Sequence, residues 1–252
     1  IIHIHTPFNV GLYGWWKARF QGVPMVFTHH TLWEAYAHYL KIVPLPVGRW
    51  IGRKMCDFYF QQARAVVMPS LEVEKQLRDS GRVRGRSEVI STGIYCEQFA
   101  DGDAGIVHQE LGLSRDEPMF LYVGRIGKEK SLDFVVDCFA EYRGRGGKGC
   151  LVIIGGGAET QALQNQAQSL GVAQEVHFLG YRQREVLKHY MAAARAFLFA
   201  SQTETQGLVI LEAAASGLPV IAARASGVNE AVEDLGSGIL VDPGVREAFV
   251  QA

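Results

Sequence analysis

Apolar and polar positions alternate along this chain in two recurring blocks. Short apolar runs are followed by longer segments whose apolar residues recur every three to four positions. That is the pattern of buried parallel strands alternating with helices. In the first block IIHIH (1–5), PMVFTHH (24–30), RAVVMPS (64–70) and SEVIST (87–92) predict strands. Between them NVGLYGWWKARFQ (9–21), a long stretch from Trp33 to Gln62, and LEVEKQLRDSG (71–81) predict helices. Residues 93–118 are turn-rich and polar, and predict an interdomain linker with one short helix. The pattern then restarts. Strands are expected at 119–123, 150–155, 175–179, 196–200, 219–223 and 238–241, with helices at 131–143, 158–170, 183–194, 207–216 and 226–234. Two such blocks imply an α/β protein of two Rossmann-like domains facing a cleft. The first domain, with the linker, is expected over 1–112 and the second over 113–252. The chain opens inside an apparent strand without an initiator Met and stops inside an apparent helix. It therefore reads as a fragment, with the N-terminal domain incomplete. No solenoid-length repeat or low-complexity tract is present.

Composition narrows the class. The chain has 252 residues, is 48% hydrophobic and holds 28 Gly, which suits a loop-rich α/β protein with a core. Net charge is −1, which gives no reason to expect a nucleic-acid partner. The sign is unevenly spread, with 12 Lys/Arg against 7 Asp/Glu in residues 1–100 and 13 against 19 in the remainder. Cys56, Cys96, Cys138 and Cys150 show no CxxC and no metal spacing. They are expected to be buried thiols in a reducing, cytoplasmic compartment. No apolar run reaches membrane-spanning length, and no signal peptide is visible.

Candidate chemistry lies at strand-to-helix turns, the ligand-binding end of open α/β sheets. In SQTETQGLVILEAAASGLPVIA (201–222), Glu204 precedes Gly207 and Glu212 lies inside the following helix, set among Val, Ile, Leu and Ala. An unused carboxylate is disfavoured in that apolar setting. The amides of Thr205, Gln206, Gly207 and Leu208 open a helix, where phosphate is attracted. GRIGKEKSLD (124–133) follows a strand. Its Arg125 and Lys130 can face a diphosphate, with Ser131 as helix cap, although a basic pair in a loop is also ordinary surface. VIIGGGAETQAL (152–163) lacks the GxGxxG pattern and is only loosely like a dinucleotide turn. RASGVNEAVED (224–234) offers Gly227, Asn229 and Glu230 at another such turn.

Together these segments, with VHFLGY (176–181) and GILVDPG (238–244), resemble the donor-binding domain of family 4 retaining glycosyltransferases of the GT-B fold. The resemblance implies that Gly124, Arg125 and Lys130 hold a nucleotide sugar's diphosphate. By the same resemblance Glu204 contacts the donor sugar, Glu212 holds the ribose, and Gly207 and Leu208 approach sugar and phosphate. The base would lie against Gly180 and Tyr181. Family chemistry implies front-face attack assisted by the departing phosphate, with Arg125, Lys130, Glu204 and His30 as the catalytic set. No cofactor or metal is expected, since the two cations can carry the anion.

HIHTPFNVG (3–11) and FTHHTLWEAYAHYL (27–40) resemble the acceptor domain of lipid glucosyltransferases acting on diacylglycerol. That places His5, Thr6 and His30 on the acceptor side. His residues on two strand ends also suggest a metal site, or simply polar strand ends. VGRWIGRKMCDFYFQQAR (47–64) mixes cations with Trp50 and Phe58. It fits an anionic membrane surface, with these two rings inserted, or a core-facing helix with a basic outer side. The implied protein is a hexosyltransferase, moving glucose from UDP-glucose to a membrane lipid at the inner face of the cytoplasmic membrane. A soluble sugar or inositol acceptor, a sugar-nucleotide epimerase and a non-catalytic nucleotide-sugar-binding module are the alternatives.

Overall fold

The computed structural model describes residues 1–39, 43–233, 236 and 238–252. They divide into two compact units, one of Ile1–Thr92 with Thr203–Gln206, the other of Gly93–Gln202 with Gly207–Ala252.

In the first unit the elements run β1 (Ile2–Ile4), α1 (Asn9–Gln21), β2 (Met25–Thr28), α2 (Leu45–Gln62), β3 (Ala65–Met68), α3 (Leu71–Asp79) and β4 (Ser87–Val89). The strands pair in parallel in the order β1-β2-β3-β4. The long helix expected from Trp33 to Gln62 is not continuous. Residues Trp33–Tyr39 form a tight 3-10 stretch, and α2 begins only after Pro44, whose backbone is extended. Pro44 and Pro46 are the cause. Proline pushes the preceding residue out of the helical region, yet is tolerated in a first turn. Leu40, at the end of the acceptor-like stretch 27–40, lies outside the described residues.

Ile4, Met25, Phe27, Tyr59, Phe60, Val66 and Met68 form the core of this unit. At its margin Arg82, buried to 8% side-chain exposure, donates to Glu34 and Asp57 at 2.6 Å each. Its guanidinium also lies over the Phe60 ring at 5.6 Å. Burial works against its charge, but Asp57 and Glu34 more than offset this and raise its pKa.

His29 is 1% exposed and edge-on to Phe60. Neither ring nitrogen has a hydrogen-bond partner among the described residues. Burial pushes its pKa down to about 4, with Glu34 opposing and Arg82 and His30 reinforcing the shift. Because the folded ring refuses a proton that the unfolded chain accepts at 6.5, its stabilisation is complete above pH 6.5 and is lost as pH falls toward 4. The loss amounts to about 3 kcal/mol. His29→Leu is expected to remove this share, measured by comparing denaturation midpoints at about pH 7 and about pH 4.5. An equal acid loss in variant and wild type would acquit His29.

The second unit contains α4 (Ala104–Leu111), β5 (Met119–Val123), α5 (Leu132–Gly144), β6 (Cys150–Ile154), α6 (Thr160–Ser169), β7 (Val176–Gly180) and α7 (Arg184–Ala193). It continues with β8 (Ala196–Phe199), α8 (Leu208–Ala215), β9 (Val220–Ala223), α9 (Asn229–Glu233), β10 (Gly238–Val241) and α10 (Arg246–Gln251). Asp234, the last position expected in the 226–234 helix, lies outside the described residues. The parallel sheet has the order β10-β9-β8-β5-β6-β7. β6 and β8 are buried along their whole length, as strands covered on both faces must be.

Residues 93–112, read from sequence as linker of the first domain, group with this second unit. Phe99 and Val107 are buried in its core, and α4 packs on α7. Of the four cysteines, Cys56, Cys138 and Cys150 are buried thiols as expected, whereas Cys96 is exposed. Burial pushes Cys56 and Cys138 up to about 12 and Cys150 to about 11, so these three are packing residues rather than nucleophiles.

Candidate active site

The strand order reverses between β5 and β8, so the loops leaving their carboxyl ends diverge and open a crevice within the second unit. The loop after β5 carries Gly124, Arg125 and Lys130. Its backbone continues the sheet pairing, with Gly124 N donating to Ile154 O and Ile126 N to Gly156 O, both at 2.9 Å. This pairing explains the outer two of the run Gly155–Gly157. A Cβ at 155 would lie 1.9 Å from Gly124 O, and one at 157 would lie 2.0 Å from Ile126 O. Gly155 and Gly157 are therefore close-packing positions that let two loops lie side by side, whereas a Cβ at Gly156 would meet nothing within 4 Å.

Lys128–Lys130 form a single 3-10 turn before α5. Ser131, expected as a side-chain cap, makes no cap hydrogen bond. It sits in the left-handed region at φ 49, turning the chain from that turn into the helix. The turn carries one acid that the charged string KEK conceals. Glu129 is buried, with its side chain 1% exposed, and it pairs with Arg125 at 2.9 Å. The Ser201 hydroxyl donates to Glu129 O, tying the turn to the end of β8. Gly127 makes room, since a Cβ there would lie 2.5 Å from the Glu129 carboxylate. Arg125 is thus an exposed guanidinium anchored from beneath, and Lys130 is a half-buried ammonium at the end of the same turn.

After β8 the chain reaches Gly207, which caps α8 in the left-handed conformation at φ 67. Any Cβ there would also crowd Ile210 at 3.1 Å. Leu208, Val209 and Ile210 form the first turn of α8, and Glu212 follows on the next. Glu212 is only 9% exposed. Burial raises its pKa, and Arg184 partly opposes this. Its Oε1 accepts from Arg184 Nη2 at 2.6 Å. Arg184 opens α7, four residues beyond Gly180, whose φ of 67 turns the chain out of β7. Tyr181 beside it is 81% exposed, an open aromatic face. At the third turn Asn229 Oδ1 accepts from Ala225 N at 3.1 Å.

The loop Thr203–Gln206 groups with the first unit. The Thr205 hydroxyl donates to His30 O at 2.7 Å. The Gln206 amide donates to Thr92 O and accepts from Thr92 N, so its side chain is engaged with backbone. Glu204, in the same loop, is half-buried. In the same unit His5 Nδ1 and His30 Nε2 share a hydrogen bond at 2.8 Å, their rings stacked, and His3 meets Thr28 Oγ1 at 2.7 Å. Burial, then His5 and His3, hold His30 below its ordinary pKa. Thr6 Oγ1 accepts from Phe8 N, and Thr6 O is pressed against Gly11 at the start of α1. Among the described residues no group of three His, Cys, Asp or Glu could hold a metal ion.

On α2, Leu45, Val47, Trp50 and Ile51 are exposed beside the exposed Arg49, Arg53 and Lys54. Phe58 does not share that face. It is half-buried and packs edge-on against Trp15. Of the two rings expected to point outward, Trp50 alone does so. Sequence reading also missed Glu129 and Arg184, each of which looks like one more surface charge in a polar string.

Comparison with known proteins gives the family. Residues 92–252 match the family described as glycosyl transferases group 1, and residues 1–98 match glycosyltransferase family 4. An alpha-monoglucosyldiacylglycerol synthase of Streptococcus pneumoniae is 33% identical over 95% of this chain and 55% of its own length. A D-inositol 3-phosphate glycosyltransferase of Nocardia farcinica is 34% identical over 96% of this chain and 55% of its own. The chain thus spans little more than half the length of these curated relatives. Among solved structures, sucrose-phosphate synthase of Thermosynechococcus elongatus superposes with a TM-score of 0.84 at 27% identity, covering 100% of this chain and 63% of that one. HepE of Anabaena in complex with UDP-glucose gives 0.79 at 22%, covering 99% and 67%. With that family match over 92–252 and a parallel sheet with helices in each unit, the chain belongs to the group 1 glycosyltransferases and has the GT-B fold.

Proposed function

We propose that this chain is the donor-binding part, with a portion of the acceptor part, of a retaining hexosyltransferase that moves glucose from UDP-glucose to a membrane lipid such as diacylglycerol. The observation that carries the donor half is the turn after β5, where Arg125 is anchored by the buried Glu129 and Lys130 closes the same turn. Cations fixed at a strand's carboxyl end suit a diphosphate. The amides opening α8 add an anion-attracting helix start, and Glu212 offers a carboxylate for ribose hydroxyls. Tyr181 gives the base an aromatic face. Glu204 is assigned to the donor sugar's hydroxyls, and His5, Thr6 and His30 to the acceptor side.

In the transfer, the bond between the anomeric carbon and the diphosphate oxygen breaks. The acceptor oxygen bonds to that carbon on the same face, and its proton passes to the departing phosphate. Arg125 and Lys130 stabilise the charge that develops on the leaving group, usually the largest single catalytic contribution.

The lipid acceptor is supported by the exposed face of α2. Three cations there can each contribute ~1 kcal/mol against anionic headgroups, with Trp50 seated at the interface. No described helix is long and apolar enough to cross a membrane. A soluble acceptor is the second reading, favoured by the similarity to inositol phosphate glycosyltransferases.

One experiment separates these readings. Full-length protein is incubated with UDP-glucose and either diacylglycerol in anionic vesicles or soluble inositol phosphate, and products are identified by mass spectrometry. Glucosylated lipid is expected. Transfer to inositol phosphate alone establishes the second reading, and a free epimer or no turnover overturns both.

A further inference from the structure

We propose that Arg184 is a positioning residue that aligns the Glu212 carboxylate with the nucleotide's ribose, and that through it the protein discriminates ribonucleotides from deoxyribonucleotides. This rests on the reading of Glu212 as the ribose acceptor. The geometry is specific. Glu212 is buried on α8, and the only oxygen of its carboxylate that accepts a hydrogen bond among the described residues is Oε1, from Arg184 Nη2 at 2.6 Å. One oxygen is therefore fixed by a charge-assisted bond, the kind with the strongest directional hold. The other is oriented by that bond and left to accept from a ligand. An ionised carboxylate oxygen held in this way suits a ribose hydroxyl, which can donate to it.

Arg184 is itself held. Its guanidinium carbon lies 5.1 Å from the centroid of the Phe99 ring, and Phe99 is 1% exposed in the core. The Arg184 side chain is 52% exposed, and a planar cation lying over a buried ring is restrained in a way that a lysine ammonium would not reproduce. Burial disfavours the charged form of Glu212, and Arg184 opposes part of that cost. Arg184 also opens α7 directly after the turn at Gly180 and Tyr181. The turn proposed to receive the base and the acid proposed to receive the ribose are thus joined by a single side chain.

The test is calorimetric titration of full-length wild type, Arg184→Gln, Arg184→Lys, Glu212→Gln and the double variant Arg184→Gln/Glu212→Gln with UDP and with 2′-deoxy-UDP. Loss of one hydrogen bond to a charged group predicts that wild type binds UDP about ten- to a hundredfold more tightly than the deoxy form. Arg184→Gln is expected to bring that ratio close to one, as Glu212→Gln does, with the double variant no worse than either. Arg184→Lys should keep only part of the preference. If Arg184→Gln weakens both ligands by the same factor and the ratio survives, Arg184 is merely structural and the inference is overturned. A wild-type ratio near one overturns it as well. Wild type that binds neither nucleotide would instead overturn the proposed function itself.

Discussion

Lys130→Ala in the full-length protein is expected to lower the rate of sugar transfer about 100- to 1,000-fold at saturating donor, with the fold intact. This is the range found when one preorganised group facing developing charge is removed. Lys130 sits half-buried at the end of the 3-10 turn that leaves β5, where the backbone of Gly127 accepts from Lys130 N at 3.0 Å. The turn thus fixes the backbone from which its side chain leaves. Lys128 supplies the control. It lies two residues earlier in the same turn but is exposed, so Lys128→Ala should leave the rate within a fewfold of wild type. Equal effects at the two positions would mean that overall positive charge, rather than a placed cation, assists the reaction. Arg125→Ala is a less clean probe, because it also removes the partner of the buried Glu129. Such a loss destabilises the fold as well as the transition state. Steady-state kinetics with UDP-glucose, alongside a thermal midpoint for each variant, distinguishes the two.

Why the cationic turn could be located from sequence, while its buried anchor could not, is a matter of period and contact. The apolar run before Gly124 and the amphipathic segment after Ser131 mark a strand and a helix, and that alone puts the basic loop at a strand's carboxyl end. The same reasoning locates the six strands of the second unit, since each is a short apolar run, of which β6 and β8 are buried along their whole length. Glu129 gives no such signal. Lys-Glu-Lys reads as solvated surface, and only the close approach at Gly127 and the 3-10 geometry turn the middle residue inward. Arg184 is hidden likewise in the polar string RQRE, because its partners Phe99 and Glu212 are distant in sequence. The break before α2 was legible in principle from Pro44 and Pro46. The apolar spacing running across them suggested continuity instead. One face of α2 packs into the core and its outer side is basic, and the separation of the exposed Trp50 from the half-buried Phe58 is a detail that period alone does not place.

Arg82→Ala should cost the first unit about 3–5 kcal/mol, the range for breaking a buried ion cluster by removing one partner. Three separate pieces of chain meet at this guanidinium: Glu34 from the 3-10 stretch, Asp57 and the Arg53 carbonyl from α2, and the 80–86 loop that carries Arg82 itself. Removing it leaves two carboxylates facing a desolvated space beside Phe60, one of which, Glu34, already has a buried oxygen without a partner. Replacing the whole cluster is a different experiment. Arg82→Met with Glu34→Leu and Asp57→Leu removes the charges together, and is expected to lie within about 1–2 kcal/mol of wild type, since apolar residues of similar volume often match a buried ion group. The cluster therefore matters less for gross stability than for holding the Trp33–Tyr39 stretch to α2. That stretch begins three residues after His30, so loosening it should also perturb the His5–His30 pair. A two-unit protein need not unfold in one step, and the measurement must be local. Hydrogen exchange at the amides of β2 and β3 should quicken in Arg82→Ala by about two orders of magnitude or more if 3 kcal/mol is lost by local opening. The triple variant should exchange much more nearly like wild type. Unchanged exchange in Arg82→Ala would show that the two carboxylates find other partners or water at little cost, and would remove the cluster from any account of how His30 is held.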